Sequence, residues 1–355
     1  MHIIEERTPA GMLDQLSLLA GEGDVVASLG RPPEHEAFSL PVRAVHCPLS
    51  VPQLGALRMR NLACGADLLH AWSARAAAAA AALGRRNGLP VLLSWPSLPE
   101  KKDLPFLTRL LGKGGVHLAV PTEVAQMALL WSGAREGSVH VLPPPARRFE
   151  DAQLAELRGL LRAALGVGDH QFLLVAPAEM VPGAGHKYAS WVHAIVRQIV
   201  RDVLLMMPGG GPGSPGVRYF AGTTGYGQEV FFREDCPVEL TGARLGQAVL
   251  AAGDVALFLA ERDTGVAALA EAMSAGLAIA GSNTPDAAEC APDGAVALLS
   301  PACDARAASA NVLRLVEDRR LAAELGAAAR RRAAECFNVS AARGCLDEIY
   351  AASRS

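Results

Sequence analysis

This sequence lacks any Cys-x-x-Cys pair, and its seven cysteines, at 47, 64, 236, 290, 303, 336 and 345, are odd in number. Together these facts exclude a complete disulfide framework and a zinc knuckle and leave reduced thiols as the expected state. A basic excess is missing too. The 33 Lys and Arg are scattered among 36 Asp and Glu for a net charge of -3, whereas a nucleic-acid surface gathers its cations on one face. No nucleic-acid partner is expected. No apolar run approaches the roughly 20 residues that span a bilayer, and the longest alanine stretch, Ala76 to Ala82, is closed by Arg75, Arg85 and Arg86. Met1-His2-Ile3-Ile4 meets Glu5 and Glu6 at once, the wrong order for a secretion signal. A cytoplasmic chain is expected, with peripheral membrane contact left open. Also absent are an Asp-x-Asp pair, which would hold a metal, and a Gly-Lys-Ser/Thr ending to the Gly209-Gly-Gly-Pro-Gly213 run. That run reads as a flexible turn, not an ATP-binding loop.

What is present is material for two α/β domains. At 355 residues the chain exceeds one ordinary core, since about 100 to 200 residues make a domain. Hydrophobic residues make up 51% and charged residues 19%, with 35 Gly and 23 Pro, which describes a folded chain with many short connections. Short apolar runs alternate with Ala/Leu-rich helical patterns, as in parallel sheets covered on both faces. Strands are expected at 24–30, 42–48, 67–73, 90–96, 116–122 and 139–145, then at 171–178, 202–209, 238–242, 254–260, 277–282 and 295–301. Their near-continuous hydrophobicity predicts burial on both faces. Leu142-Pro143-Pro144-Pro145 removes backbone donors and favours an extended linker. The expected division is an N-terminal Rossmann-like domain, 1–146, and a C-terminal one, 147–338. Beyond Pro301 the pattern is helical, at 304–317, 319–335 and 340–352, with Arg330-Arg331-Arg332 as a solvated helix face. The closing helix, 339–355, is free to cross back to the N-terminal domain.

Doubly wound domains in series leave a cleft at the carboxyl ends of their strands, where such folds bind ligands. The most informative stretch for that cleft runs from Asp254 to Gly276. A buried strand enters a turn at Asp263, and a helix starts at Thr264 or Gly265 and stops at Gly276. The unpaired N–H groups of Gly265 and Val266 and the positive dipole end suit a phosphate. Glu271, about 10 Å further along a helix rising 1.5 Å per residue, reaches a ribose if its face is turned to the ligand. The bland alternative is that Asp263 caps its own helix and Glu271 is a solvated position.

The stretch resembles the donor-site motif of family 4 glycosyltransferases, in which two acids separated by seven residues precede Ala-Met-x-x-Gly; here they are Asp263 and Glu271, then Ala272-Met273-Ser274-Ala275-Gly276. Glu289, Ala291-Pro292-Asp293-Gly294, Asp304, Phe337 and Ile349-Tyr350 match later family features in order, and Gly185-His186-Lys187 with the glycines at 209–211 match the first βα unit. The resemblance covers about 170–352. It implies a GT-B fold: two Rossmann-like parallel-sheet domains facing each other across a cleft, with C-terminal helices. By position it assigns Asp263 and Lys187 to catalysis and Glu271, Thr264, Gly265, Val266, Glu179 and Gly242 to the donor nucleotide-sugar. In the first half, Asp67-Leu68-Leu69-His70 resembles the acceptor-domain strand more weakly, and His70 is either a cleft residue or a hydrogen-bonded structural group.

The implied activity is hexosyl transfer from a UDP- or GDP-sugar to a glycan, lipid or small-molecule acceptor, with retention of configuration and with neither metal nor cofactor. Lys187 would offset charge on the departing diphosphate. Three departures from the family pattern weigh against turnover, and the first of them, Glu179, favours a second reading, a non-catalytic assembly partner. Glu179 stands where the family has an arginine, Asp263 is one methylene shorter than Glu, and the N-terminal glycine-rich loop is reduced to Thr8-Pro9-Ala10-Gly11.

Overall fold

A computed structural model describes residues 1–5, 8–29, 40–45, 63, 65–237, 239–240 and 242–354. The expected strand residues Gly30, His46, Cys47, Pro48, Val238 and Thr241 lie outside them. The chain forms two compact units, Met1–Pro145 together with Val339–Ser355, and Ala146–Asn338.

In the first unit, β1 (His2–Glu5), β2 (Val26–Leu29), β3 (Val42–Val45), β4 (Leu69–Ala71), β5 (Val91–Ser94), β6 (Val116–Val120) and β7 (Val139–Val141) form one sheet. Its order is β3-β2-β1-β4-β5-β6-β7, and every pair is parallel. Successive side chains of a strand point to opposite faces. Ile3 accordingly packs with Ala76, Ala80 and Leu83 of the helix Ala74–Asn87 on one face. Ile4 packs with Met12 and Leu16 and with Leu346 and Ile349 of the helix Val339–Arg354 on the other. The alanine-rich helix serves as a thin plank whose small side chains lie close to the sheet. Ser73 caps its start by accepting from Ala76 N, and Gly88 ends it at φ 68°, the left-handed stop that glycine adopts readily. Strand β1 was not expected from the sequence. Its four residues hold only two strong apolar side chains, and the strand is defined by pairing with β2 and β4.

In the second unit, β8 (Phe172–Val175), β9 (Val203–Met207), β10 (Val230–Phe232), β11 (Val255–Phe258), β12 (Ala278–Ser282) and β13 (Ala297–Ser300) are ordered β10-β9-β8-β11-β12-β13. Both faces are again covered, with Leu173 and Val175 in one core layer and Phe172 and Leu174 in the other. This explains the continuous hydrophobic runs. The expected strand at 238–242 is corrected: the third strand outward is Val230–Phe232, and Gly242 instead opens the helix Gly242–Ala252. Strand β10 ends where Asp235 accepts from Phe232 N at 2.7 Å.

The amino edge of this sheet is held by a polar knot. Arg162, 4% exposed, donates to Asp254 Oδ2 and to the carbonyls of Ala252, Gly168 and Gln171 at 2.7–3.2 Å. Arg158 holds the other oxygen of Asp254 at 2.7 Å, and Asp254 Oδ2 accepts from Leu173 N. The arginine run is corrected as well. Arg330 donates to Asp151 and to Phe149 O, and Arg332 donates to the carbonyls of Glu289 and Cys290. Two of its three side chains therefore tie the helix Arg319–Cys336 to its neighbours.

Candidate functional site

The order of the second sheet reverses direction between β8 and β11, and the loops leaving those two strands flank the crevice in which doubly wound sheets bind ligands. Glycines lock these loops together. A methyl group on Gly185, whose φ is 83°, would stand 1.9 Å from Leu259 O. Glu261 N donates to Gly183 O at 2.9 Å, and Arg262 donates to Pro182 O. His186, buried, completes the clasp through Nε2 to Ala178 O at 3.0 Å. Burial depresses its pKa, so the ring stays neutral and serves to position the start of the helix His186–Arg197.

The glycines at 209–213 belong to the same lock and are no flexible turn. Met180 N donates to Gly210 O, and Gly213 N donates to Met180 O at 2.7 Å. A methyl on Gly209 would stand 2.2 Å from Ala178 O. Glu179 lies on this surface, its Cγ 3.3 Å from where a Cβ of Gly211 would be.

Lys187 is exposed in the first turn of its helix, its Nζ 3.7 Å from the position a Cβ of Gly216 would take in the helix Ser214–Thr223. Gly265, at φ 75°, is the N-cap of the helix Val266–Ser274 and has no side-chain capping bond. Its Cβ position is 3.4 Å from Ala178 Cβ, which brings that helix mouth against the β8 loop. Thr264 is half-buried. The Val266 side chain is core, 3% exposed, and is not available to a ligand. Gly242 begins a different helix and is not among the locked loops.

The two acids are engaged within the protein. Asp263 does not cap its own helix. Its Oδ1 accepts from Asp286 N at 2.7 Å in the first turn of the helix Pro285–Cys290. Burial raises its pKa, and hydrogen bonds from Thr284 and Asp286 oppose that rise. Glu271 is not solvated: its Oε1 accepts from Arg147 N at 3.1 Å and Arg147 Nη1 at 3.0 Å, while Ser274 donates to Arg147 O. Sequence reading missed Arg147. Its only signal was its place two residues after the proline run.

In the first unit His70 is fully buried on β4. It stacks on Trp72 at 4.2 Å, and its two nitrogens contact Tyr350 Oη and Ser94 Oγ, both at 2.8 Å. Burial holds its pKa well below the usual value. His70 is a neutral, hydrogen-bonded structural group.

Two doubly wound parallel sheets in one chain, matched over nearly the whole chain by solved glycosyltransferase structures, give the GT-B fold. The HepE protein of Anabaena, solved with UDP-glucose, has the same fold with TM-score 0.81 and 18% identity over 98% of each chain. Sucrose-phosphate synthase of Thermosynechococcus elongatus follows at TM-score 0.75 and 16% identity, over 99% of this chain and 98% of that one. WaaG, a glycosyltransferase involved in lipopolysaccharide biosynthesis, gives 0.72 and 15%, over 98% and 99%. Residues 159–332 match the family Glycosyl transferases group 1, and the second domain belongs to that family. No curated protein matches the chain.

Proposed function

We propose that the chain transfers a hexose from a UDP-sugar to a hydroxyl acceptor with retention of configuration, and that the β8 and β11 loops hold the donor. The observation that carries this reading is the juxtaposition of the helix mouth at Gly265 with the β8 loop, inside the segment that matches the glycosyltransferase family. Open N–H groups at a helix start favour a phosphate. Lys187, exposed on the neighbouring helix, adds a full positive charge for the departing diphosphate, where electrostatic stabilisation lowers a barrier most. HepE, bound to UDP-glucose, supports uridine as the base. In this reading Glu271 exchanges Arg147 for the ribose hydroxyls, and the phosphates are handled by Lys187 and backbone amides without a metal.

Calorimetric titration with UDP tests the donor site. Lys187→Ala is expected to weaken binding about 10- to 100-fold, the value of one charged hydrogen bond, and Glu271→Ala to weaken it less. Incubation with UDP-glucose and candidate acceptors, followed by NMR of the new anomeric proton, reads activity and configuration. A second reading, an assembly partner without turnover, is favoured by Glu179 and by the internal engagement of Asp263 and Glu271. It predicts no UDP binding by the intact protein.

A further inference from the structure

We infer that the first domain holds a separate cationic site for a small phosphate-bearing metabolite, in a hollow at the amino ends of β5 and β6. The hollow measures about 600 Å³, within the few hundred to about 1,000 Å³ typical of small-molecule sites. Among the described residues it is lined by Arg85, Arg135, Arg354 and His117 and by no carboxylate. The three arginines come from three elements: the last turn of Ala74–Asn87, the connection after Glu123–Trp131, and the end of Val339–Arg354.

The ordinary explanation is that arginines at helix ends complement the dipole. It covers Arg85 and Arg354, which sit in last turns, but not Arg135, which is in no helix. The magnitudes also favour a ligand. Two helix ends supply roughly half a negative charge each, against three guanidinium charges, leaving an excess of about two. Among the described residues none of the three arginines forms an ion pair; Arg85 Nε donates to its own helix at Ala81 O. In the second domain, by contrast, Arg158, Arg162 and Arg197 each hold a carboxylate. An uncompensated cluster facing a concavity matches a phosphate, whose oxygens accept the paired N–H donors of guanidinium.

The rim leaves space for the ligand. A Cβ placed on Gly88, Gly114 or Gly115 would meet nothing within 4 Å. Gly114 lacks the positive φ of the other two, so the backbone does not require glycine there. His117 is bonded to His140 through Nδ1 at 3.0 Å, which fixes its ring at the wall. The hollow lies at the amino edge of its sheet, opposite the edge that doubly wound folds use for ligands, and it does not depend on the donor reading.

The full chain carrying Lys187→Ala, which weakens the proposed donor site, is titrated with inorganic pyrophosphate. Retained binding is expected, with a loss of about tenfold or more on adding Arg85→Ala or Arg135→Ala, the effect of one charge-assisted bond. Gly114→Glu, which places a carboxylate in open space, is expected to abolish binding while thermal unfolding stays unchanged. The proposal is overturned if Lys187→Ala alone removes all pyrophosphate binding, or if the arginine and Gly114 variants bind as tightly as their parent. Sedimentation with phosphatidic acid vesicles, without any pyrophosphate binding, would assign the cations to a lipid headgroup and overturn it equally. UDP titration of the unaltered chain is read separately, so failure of the donor reading is distinguishable.

Discussion

The two domains share a strand order but place their polar groups differently. Each sheet runs outward in both directions from a central pair, β1 and β4 in the first and β8 and β11 in the second. In the first, the central pair carries the buried polar residues His2, Glu5 and His70, and His70 is sunk on its strand among Trp72, Ser94 and Tyr350. In the second, the candidate donor-site residues Lys187, Asp263 and Gly265 stand on loops and helix starts beyond the strands. A buried polar residue on a strand holds a fold together, whereas one on a loop at the carboxyl edge remains available to a ligand.

The sharpest test of this contrast begins at the amino edge of the second sheet. Arg162→Ala removes the more buried side of the ion pair with Asp254 and one donor from each of three carbonyls, of which Ala252 O and Gly168 O keep a second donor in Arg158 and Gln171 N. It is expected to cost about 3–5 kcal/mol, measured by urea unfolding. Gly185→Ala comes next: overpacking against Leu259 O and a disfavoured φ together cost about 2–4 kcal/mol, and UDP affinity falls because the two loops separate. His70→Leu is expected to cost about 1–3 kcal/mol through the hydroxyls it leaves unpaired while leaving UDP affinity unchanged; a lost affinity would break the distinction between the domains.

The smallest effect is in pH. His2, His70, His117, His140, His186 and His193 all have depressed pKa values, mainly through burial. The unfolded chain therefore binds protons that the folded chain refuses. Stability is full above a pH of about 6.5, the unfolded value, and declines as pH falls. Asp24, held at about 2 by His2, adds stability that is lost only below about pH 4. Chemical denaturation between pH 8 and 5 is expected to show the histidine decline; a flat profile would contradict the neutral state assigned to His70.

Much of this architecture was legible in the sequence because buried parallel strands are hydrophobic on both faces, as at Leu173 to Val175 or Ala278 to Ala280. Strand β10 was misplaced because Val230–Phe232 is short and lies between two brief 3-10 turns, where no period can register. The helix start at Gly265 was legible from a glycine following a buried strand. The partners of Asp263 and Glu271 were not, because Asp286 and Arg147 lie 23 and 124 residues away and no local pattern encodes such contacts. The close approaches of Gly185 and Gly209 were hidden for the same reason, since both are to backbone of other loops.

Hydrogen–deuterium exchange with and without UDP tests the location of the donor site most directly. The account predicts slowed exchange at the amides of 185–188 and 264–268, with the surroundings of His70 unchanged. Protection confined to the first domain, or none anywhere at saturating UDP, would contradict it.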